Sequence, residues 1–189
     1  MTSAADPRST AEPVPAPLTV LFVCTANICR SAYAAARAAD FVPPGGALEI
    51  RSAGIPGLVG EPMSEEMAQV LAERGRDGSA HRSRSVTAQV VAEADLVLTM
   101  EARHRLAIID ELPTAAPIVF TIAQADAALA AIPGAVRGRD LVTAIFRARR
   151  PVRPEDDVVD PYRRGLAANR ATADQLDAVL ARIVPRLAR

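Results

Sequence analysis

Apolar and polar positions follow two rhythms along this chain. Leu18-Thr19-Val20-Leu21-Phe22-Val23 is a short, nearly unbroken apolar run rich in β-branched residues, the pattern of a strand buried on both faces. Tyr33 to Phe41 reads as an Ala-rich helix, and Ala47 to Ala53 as a second strand after the breaker Pro43-Pro44-Gly45-Gly46. Gly54 to Pro62 reads as a loop. Ser64-Glu65-Glu66 predicts a helix start, with a capping hydroxyl and an acidic first turn, carried on by Met67, Val70 and Leu71 and stopped at Gly75. Asp95 to Thr99 predicts a third strand, Glu101 to Glu111 a helix and Pro117 to Thr121 a fourth strand. Strands alternating with helices predict an α/β fold, a doubly wound, four-stranded parallel sheet with helices on both faces.

The pattern is weaker at the ends and in one long segment. Residues 1–17, with Pro7, Pro13, Pro15 and Pro17 among small and charged residues, bury too little apolar surface to offset ordering entropy and predict a disordered tail. Residues 18–189 then form a single domain. Ala123 to Ile132 and Asp140 to Arg149 look helical but are interrupted by Pro133-Gly134, Pro151 and Pro154, so the stretch 124–157 predicts a helical excursion followed by a loop. Leu176, Val179, Leu180, Ile183 and Leu187 recur at three- and four-residue spacing, one face of a last helix whose final turn Pro185 should disturb.

Composition narrows the partners. A formal net charge of +0 gives no global attraction to nucleic acid or to an anionic membrane. Lysine is absent and every basic side chain is arginine, which is read as coding bias. No stretch approaches the roughly 20 apolar residues of a membrane span, and the N-terminus lacks a secretory signal layout, so the expected location is the cytoplasm. The 2 cysteines, Cys24 and Cys29, are too few for a secreted disulfide framework.

Those cysteines lie in Cys24-Thr25-Ala26-Asn27-Ile28-Cys29-Arg30-Ser31, between the first strand and the first helix. A loop entering a helix presents unpaired N–H groups and the positive end of the helix dipole, and so holds an anion. The same field favours a thiolate at Cys24. Arg30 can grip two phosphoryl oxygens through its planar fork, and a cation at a helix N-terminus is misplaced unless an anion accompanies it. Ser31 is placed to donate to the Cys24 sulfur, although serine is equally an ordinary helix-start residue. Open α/β sheets bind ligands at this edge.

The segment Val20 to Ser31 resembles the low-molecular-weight protein tyrosine phosphatase family. Arg51-Ser52-Ala53-Gly54, His81-Arg82-Ser83-Arg84, Ala94 to Met100 and Asp160-Pro161-Tyr162 are similar to further motifs of that family, most of all to its bacterial capsule and exopolysaccharide branch. The resemblance implies the phosphotyrosine phosphatase I-like fold and hydrolysis of protein phosphotyrosine. Cys24 would attack phosphorus and Arg30 would bind the equatorial oxygens together with the loop residues Thr25, Ala26, Asn27, Ile28, Cys29 and Ser31. Asp160 would protonate the leaving oxygen and later activate water, and Tyr162 would wall the cleft. Ser52 and His81, with Asn27, would support the loop, while His104 is left on a solvated helix face. Cys29 matches a position whose thiol can pair with the nucleophile under oxidation, or it is a small residue packed behind the loop. No metal or cofactor is implied. The implied partner is a phosphotyrosine-bearing protein such as a bacterial tyrosine kinase, inorganic phosphate is the product, and the chain is expected to be a monomer.

Two departures and three rivals stand beside this reading. Ala26 replaces the usual glycine, which would be costly at positive φ, and Ala32 replaces the usual proline. A thiol-dependent arsenate reductase uses a similar loop, although the thioredoxin-linked type needs cysteines beyond Cys29, and none follows. Phosphoarginine phosphatases carry threonine at the position of Ile28, whose larger apolar side chain favours an aryl phosphate. A non-catalytic phosphate-binding module would need neither Cys24 nor Asp160.

Overall fold

The computed structural model describes residues 16–188. Residues 1–15 of the expected tail lie outside that range, and Ala16 and Pro17 are exposed and join no element. Strand β1 (Leu18–Cys24) is buried along its whole length. It pairs in parallel with β2 (Leu48–Gly54) on one side and β3 (Leu96–Thr99) on the other, and β4 (Val119–Thr121) completes a four-stranded parallel sheet of order β2-β1-β3-β4.

The buried-on-both-faces reading of β1 follows from its alternation. Leu18, Val20 and Phe22 point into the larger core, while Leu21 and Val23 point into a smaller one on the opposite face. Over the larger core lie α1 (Arg30–Ala38), α2 (Glu65–Glu73), α5 (Ile122–Ala128), α6 (Gly138–Ala148) and α7 (Gly165–Leu187). The smaller core is closed by α3 (Ala88–Ala92) and α4 (Ala102–Glu111). Parallel strands place all their carboxyl ends on one edge, so Cys24, Gly54, Thr99 and Thr121 end together there. The register sets Cys24 beside Gly54.

Several expectations need correction. Helix α1 begins at Arg30, three residues before the predicted Tyr33, so Arg30 and Ser31 belong to its first turn. Ser64 occupies the cap position of α2, but its hydroxyl meets the Cys29 sulfur at 3.0 Å instead of capping. The pattern missed α3, which Thr87 caps by accepting the Val90 N–H at 3.2 Å. The 124–157 segment is helical as expected, but it is no separate excursion: Leu141, Val142 and Ile145 of α6 sit in the main core. Pro185 does not break α7, which runs on to Leu187. A proline one turn from a helix end removes a single intrahelical bond, and the buried Val184 and Leu187 hold that turn in place. The exposed Pro185 carbonyl accepts from Arg137 at 2.8 Å. Among the described residues no helix is long and apolar enough to cross a membrane.

Leu180 of α7 is fully buried in the larger core, whereas Leu106 on α4 is 54% exposed. Leu180→Ala is expected to lower the unfolding free energy in urea by about 2–5 kcal/mol, and Leu106→Ala by no more than about 0.5 kcal/mol. Equal losses from the two would contradict this assignment of the core.

Candidate active site

Between Cys24 and Arg30 the chain turns every peptide the same way. The Cys24 carbonyl accepts from Ile55 N at 2.9 Å, Thr25 from Gly57 N at 3.0 Å, and Ala26 from Leu58 N at 3.2 Å. The Ile28 carbonyl accepts from Ser64 N at 2.8 Å, and Cys29 from Tyr33 N at 2.8 Å. The Asn27 carbonyl meets His81 Nε2 at 2.6 Å, which makes that ring nitrogen the donor. No N–H from Thr25 to Cys29 reaches a protein acceptor among the described residues. Carbonyls therefore point outward into the scaffold, and the N–H groups converge on the concave side, an arrangement that fits an anion.

Asn27 makes this turn possible. It has φ +59° and is fully buried, and asparagine tolerates the left-handed region better than most residues. Its Nδ2 donates to Ser31 Oγ at 2.9 Å and its Oδ1 accepts from Arg84 N at 3.1 Å. Among the described residues the non-glycine positions at positive φ are Asn27 and Arg163, so Ala26 escapes the strain anticipated for it. On the neighbouring strand, Gly54 is required, because a Cβ there would collide with the Thr25 carbonyl and lie 2.9 Å from the Ala26 carbonyl carbon.

Cys24, at the base of the cradle, lies 3.0 Å from Ser31 Oγ. Ser31 already accepts from Asn27, so its own proton goes either to the Cys24 sulfur or to the Ala53 carbonyl at 3.3 Å. His81 meets the loop through the Asn27 carbonyl, and burial lowers its affinity for a proton. Ser52 does not support it through its hydroxyl: what this segment offers the loop is the Ala53 carbonyl, and the Ser52 carbonyl is taken by Arg84 Nε at 2.8 Å. Ser52 lies within β2, one residue before Ala53, whose carbonyl Ser31 meets, and two before the strand end at Gly54. Cys29 is a free thiol on Ser64, pushed up to about 11 by burial.

Arg30 is 1% exposed, and its guanidinium is shared among distant elements. Its Nη1 donates to Glu101 Oε1 at 2.5 Å and to the Val158 carbonyl at 2.8 Å. Its Nη2 lies 3.0 Å from Asp160 Oδ2, and its Nε has no partner among the described residues. Asp160 is thereby brought to Arg30, and Tyr162, 44% exposed, follows with its N–H on Asp160 Oδ1 at 3.3 Å.

Sequence reasoning missed Glu101, His104 and Asp157. His104 is 2% exposed instead of solvated, and its Nε2 meets Thr25 Oγ1 at 3.0 Å. Arg103 donates to the same Thr25 oxygen at 2.8 Å. Asp157 caps α4 by accepting the Ala102 N–H at 2.7 Å, which brings Val158 and Asp160 to the site. The available signal was positional: α4 starts at the carboxyl end of β3, the edge that carries the cradle. Burial would raise Glu101, but hydrogen bonds from Arg103 and Arg30 win and hold it at about 2. Burial also dominates at His104, which falls to about 4 and is neutral at pH 7 despite the nearby Glu101 carboxylate.

Both shifts are downward, so in both cases the unfolded chain binds protons first and stability falls with pH. His104 acts as pH falls from the ordinary 6.5 to about 4, and Glu101 from 4.5 to about 2. Urea titrations at a series of pH values are expected to show wild-type stability falling through both windows. Glu101→Gln should be flat by comparison below pH 4.5, and a wild-type slope retained in the variant would contradict the clamp on Arg30.

Comparison with known proteins matches this geometry. The family profile described as low molecular weight phosphotyrosine protein phosphatase covers residues 19–133. A protein-arginine-phosphatase of Geobacillus stearothermophilus is 30% identical over 171 residues, 90% of this chain and 97% of that protein. The probable low molecular weight protein-tyrosine-phosphatase EpsP of Ralstonia nicotianae is 28% identical over 89% of this chain and 95% of its own. The solved low molecular weight protein tyrosine phosphatase of T. tengcongensis superposes with a TM-score of 0.67 at 32% identity, covering 86% of this chain and 95% of that one. With its cradle, cysteine and arginine joined on this sheet edge, the chain belongs to the low molecular weight phosphotyrosine protein phosphatase family.

Proposed function

We propose that this phosphatase hydrolyses aryl phosphate monoesters, with protein phosphotyrosine as substrate, through a cysteinyl-phosphate on Cys24. The observation that carries the reading is the converging set of unpaired N–H groups around Cys24, with the buried Arg30 guanidinium at the end of the same loop. The Cys24 thiolate attacks phosphorus as the aryl P–O bond breaks, and the cradle N–H groups and Arg30 hold the equatorial oxygens. Asp160 gives its proton to the departing phenolic oxygen. Water then attacks the thiophosphate, Asp160 takes a proton back, the S–P bond breaks and inorganic phosphate leaves.

Two features of the resting site suit this cycle. Ser31 can turn its proton from the Ala53 carbonyl to the sulfur, supporting the thiolate without any heavy atom moving. Asp160 rests on Arg30 Nη2, and an incoming phosphate competes for that guanidinium, freeing the carboxyl to face the leaving group. Leu58, at 47% exposure, and Tyr162 offer apolar walls to a substrate ring, and Ile28 lies in the cradle itself. The likeness to an arginine phosphatase over most of the chain supports a second substrate, phosphoarginine, against which Ile28 argues. Cytoplasmic phosphotyrosine proteins are the partners this reading implies.

Cys24→Ser is expected to abolish hydrolysis of an aryl phosphate, and Asp160→Asn to lower kcat by about 10²–10⁴-fold, with wild-type activity bell-shaped in pH and unchanged by chelator. A phosphotyrosine peptide should be hydrolysed faster than a phosphoarginine peptide, and Ile28→Thr should narrow that ratio. Phosphate binding without turnover by the folded wild-type protein would favour a binding module instead, and faster phosphoarginine hydrolysis would reverse the substrate assignment.

A further inference from the structure

A second cationic site lies beside β4, built partly from residues within the family-matched range 19–133 and partly from the loop after α6 beyond it. A shallow groove of about 400 Å³ is lined by Arg105, Gln124, Arg149, Arg150, Pro151 and Val152. Arg105 is half-buried, and its Nε is anchored on the Val119 carbonyl at 3.0 Å, which fixes the guanidinium at the free edge of β4. Arg149 is held over the Phe146 ring, 3.8 Å from its centroid, with one nitrogen on the Phe146 carbonyl. The loop between them is pinned by Gln124 Nε2 donating to the Arg150 carbonyl at 2.5 Å.

Charge is uncompensated here. Arg150 is paired with Asp156 at 2.6 Å, but neither Arg105 nor Arg149 makes an ion pair among the described residues. Burial, and then the like charge of Arg149, both press Arg105 toward losing its proton, with no carboxylate opposing them. Two guanidiniums fixed near one another without an anion are an unfavourable arrangement that a bound anion relieves. Arg37 and Arg74, also partly buried, are by contrast neutralised by Asp177.

We infer that this groove is a subsite for an acidic side chain of the phosphoprotein substrate, engaged while the phosphorylated residue occupies the Cys24 cradle. The inference rests on the phosphotyrosine reading. Strand β4 is two strands from β1, about 10 Å at ordinary strand spacing, and Val119 is level with Leu21, which adds about 10 Å along the strand to Cys24; extended peptide covers the resulting span of about 14 Å in about four residues at roughly 3.3–3.6 Å each. The groove is open along the surface, as a peptide requires, and Arg105 lies one helical turn beyond Ala102, where α4 meets the site.

The test compares phosphotyrosine peptides carrying Glu or Gln two to five residues to either side, with a small aryl phosphate alongside. Wild-type kcat/KM is expected to favour a Glu peptide by roughly fivefold at low salt, mainly through KM, the preference shrinking as salt rises. Arg149→Glu should erase or invert the preference and leave small aryl phosphate turnover unchanged, and Arg105→Gln should weaken it. Equal use of Glu and Gln peptides by an enzyme active on aryl phosphate would overturn the subsite alone, as would a preference that survives Arg149→Glu. Inactivity on every phosphotyrosine and aryl substrate would overturn the phosphotyrosine reading and the subsite with it.

Discussion

The structure turns on one constraint: a buried loop whose carbonyls all find partners in the scaffold while its N–H groups find none. Buried backbone donors without acceptors are costly, and a folded protein rarely leaves several together. Here they are tolerated because the scaffold's own donors fix the opposite side. Ile55, Gly57, Leu58, Ser64 and His81 each donate to a carbonyl between Cys24 and Ile28, so the loop cannot rotate its peptides to satisfy itself. The unmet N–H groups form a standing positive potential, and the phosphate-binding capacity is built into the fold before any ligand arrives.

Arg30 extends that potential and creates its own cost, since a cation at 1% exposure needs compensation. Glu101 and Val158 hold Nη1, Asp160 lies on Nη2, and Nε has no partner among the described residues. The two carboxylates differ in what they can do. Glu101 is only 14% exposed, held from its other side by Arg103, and acts as a permanent counter-ion. Asp160 is 45% exposed at the side chain, on a loop, and can leave. One nearly buried and one half-exposed acid thus share a single arginine.

The legible part of the site was the part contiguous in sequence. Cys24, Asn27, Arg30 and Ser31 lie within one strand-loop-helix unit, and the order of elements put that unit at a sheet edge. His81 and Asp160 came through resemblance to a family, because nothing local distinguishes a loop histidine or an Asp-Pro turn. Glu101, His104 and Asp157 stayed hidden for a physical reason: their roles depend on α4 and the 157–160 loop meeting over the same edge, a long-range juxtaposition that no periodicity records. His104 was misjudged because its partner, the Thr25 hydroxyl, belongs to the loop after β1, far away in sequence. Pro185 was misjudged because propensity was weighed without the packing of Val184 and Leu187.

Asn27 shows why the loop tolerates Ala26. A left-handed residue is needed once in this turn, and the strain is placed on a side chain that recovers it through hydrogen bonds to Ser31 and Arg84. A glycine at 27 could adopt the backbone but would leave Ser31 without its donor and Arg84 N without its acceptor. Ser31 would then lose the contact that commits its oxygen as acceptor and its proton to either Ala53 or Cys24. The same side chain that bends the loop thus sets the hydrogen-bond polarity around Cys24, so the loop's shape and its hydrogen bonding cannot be altered independently at this position.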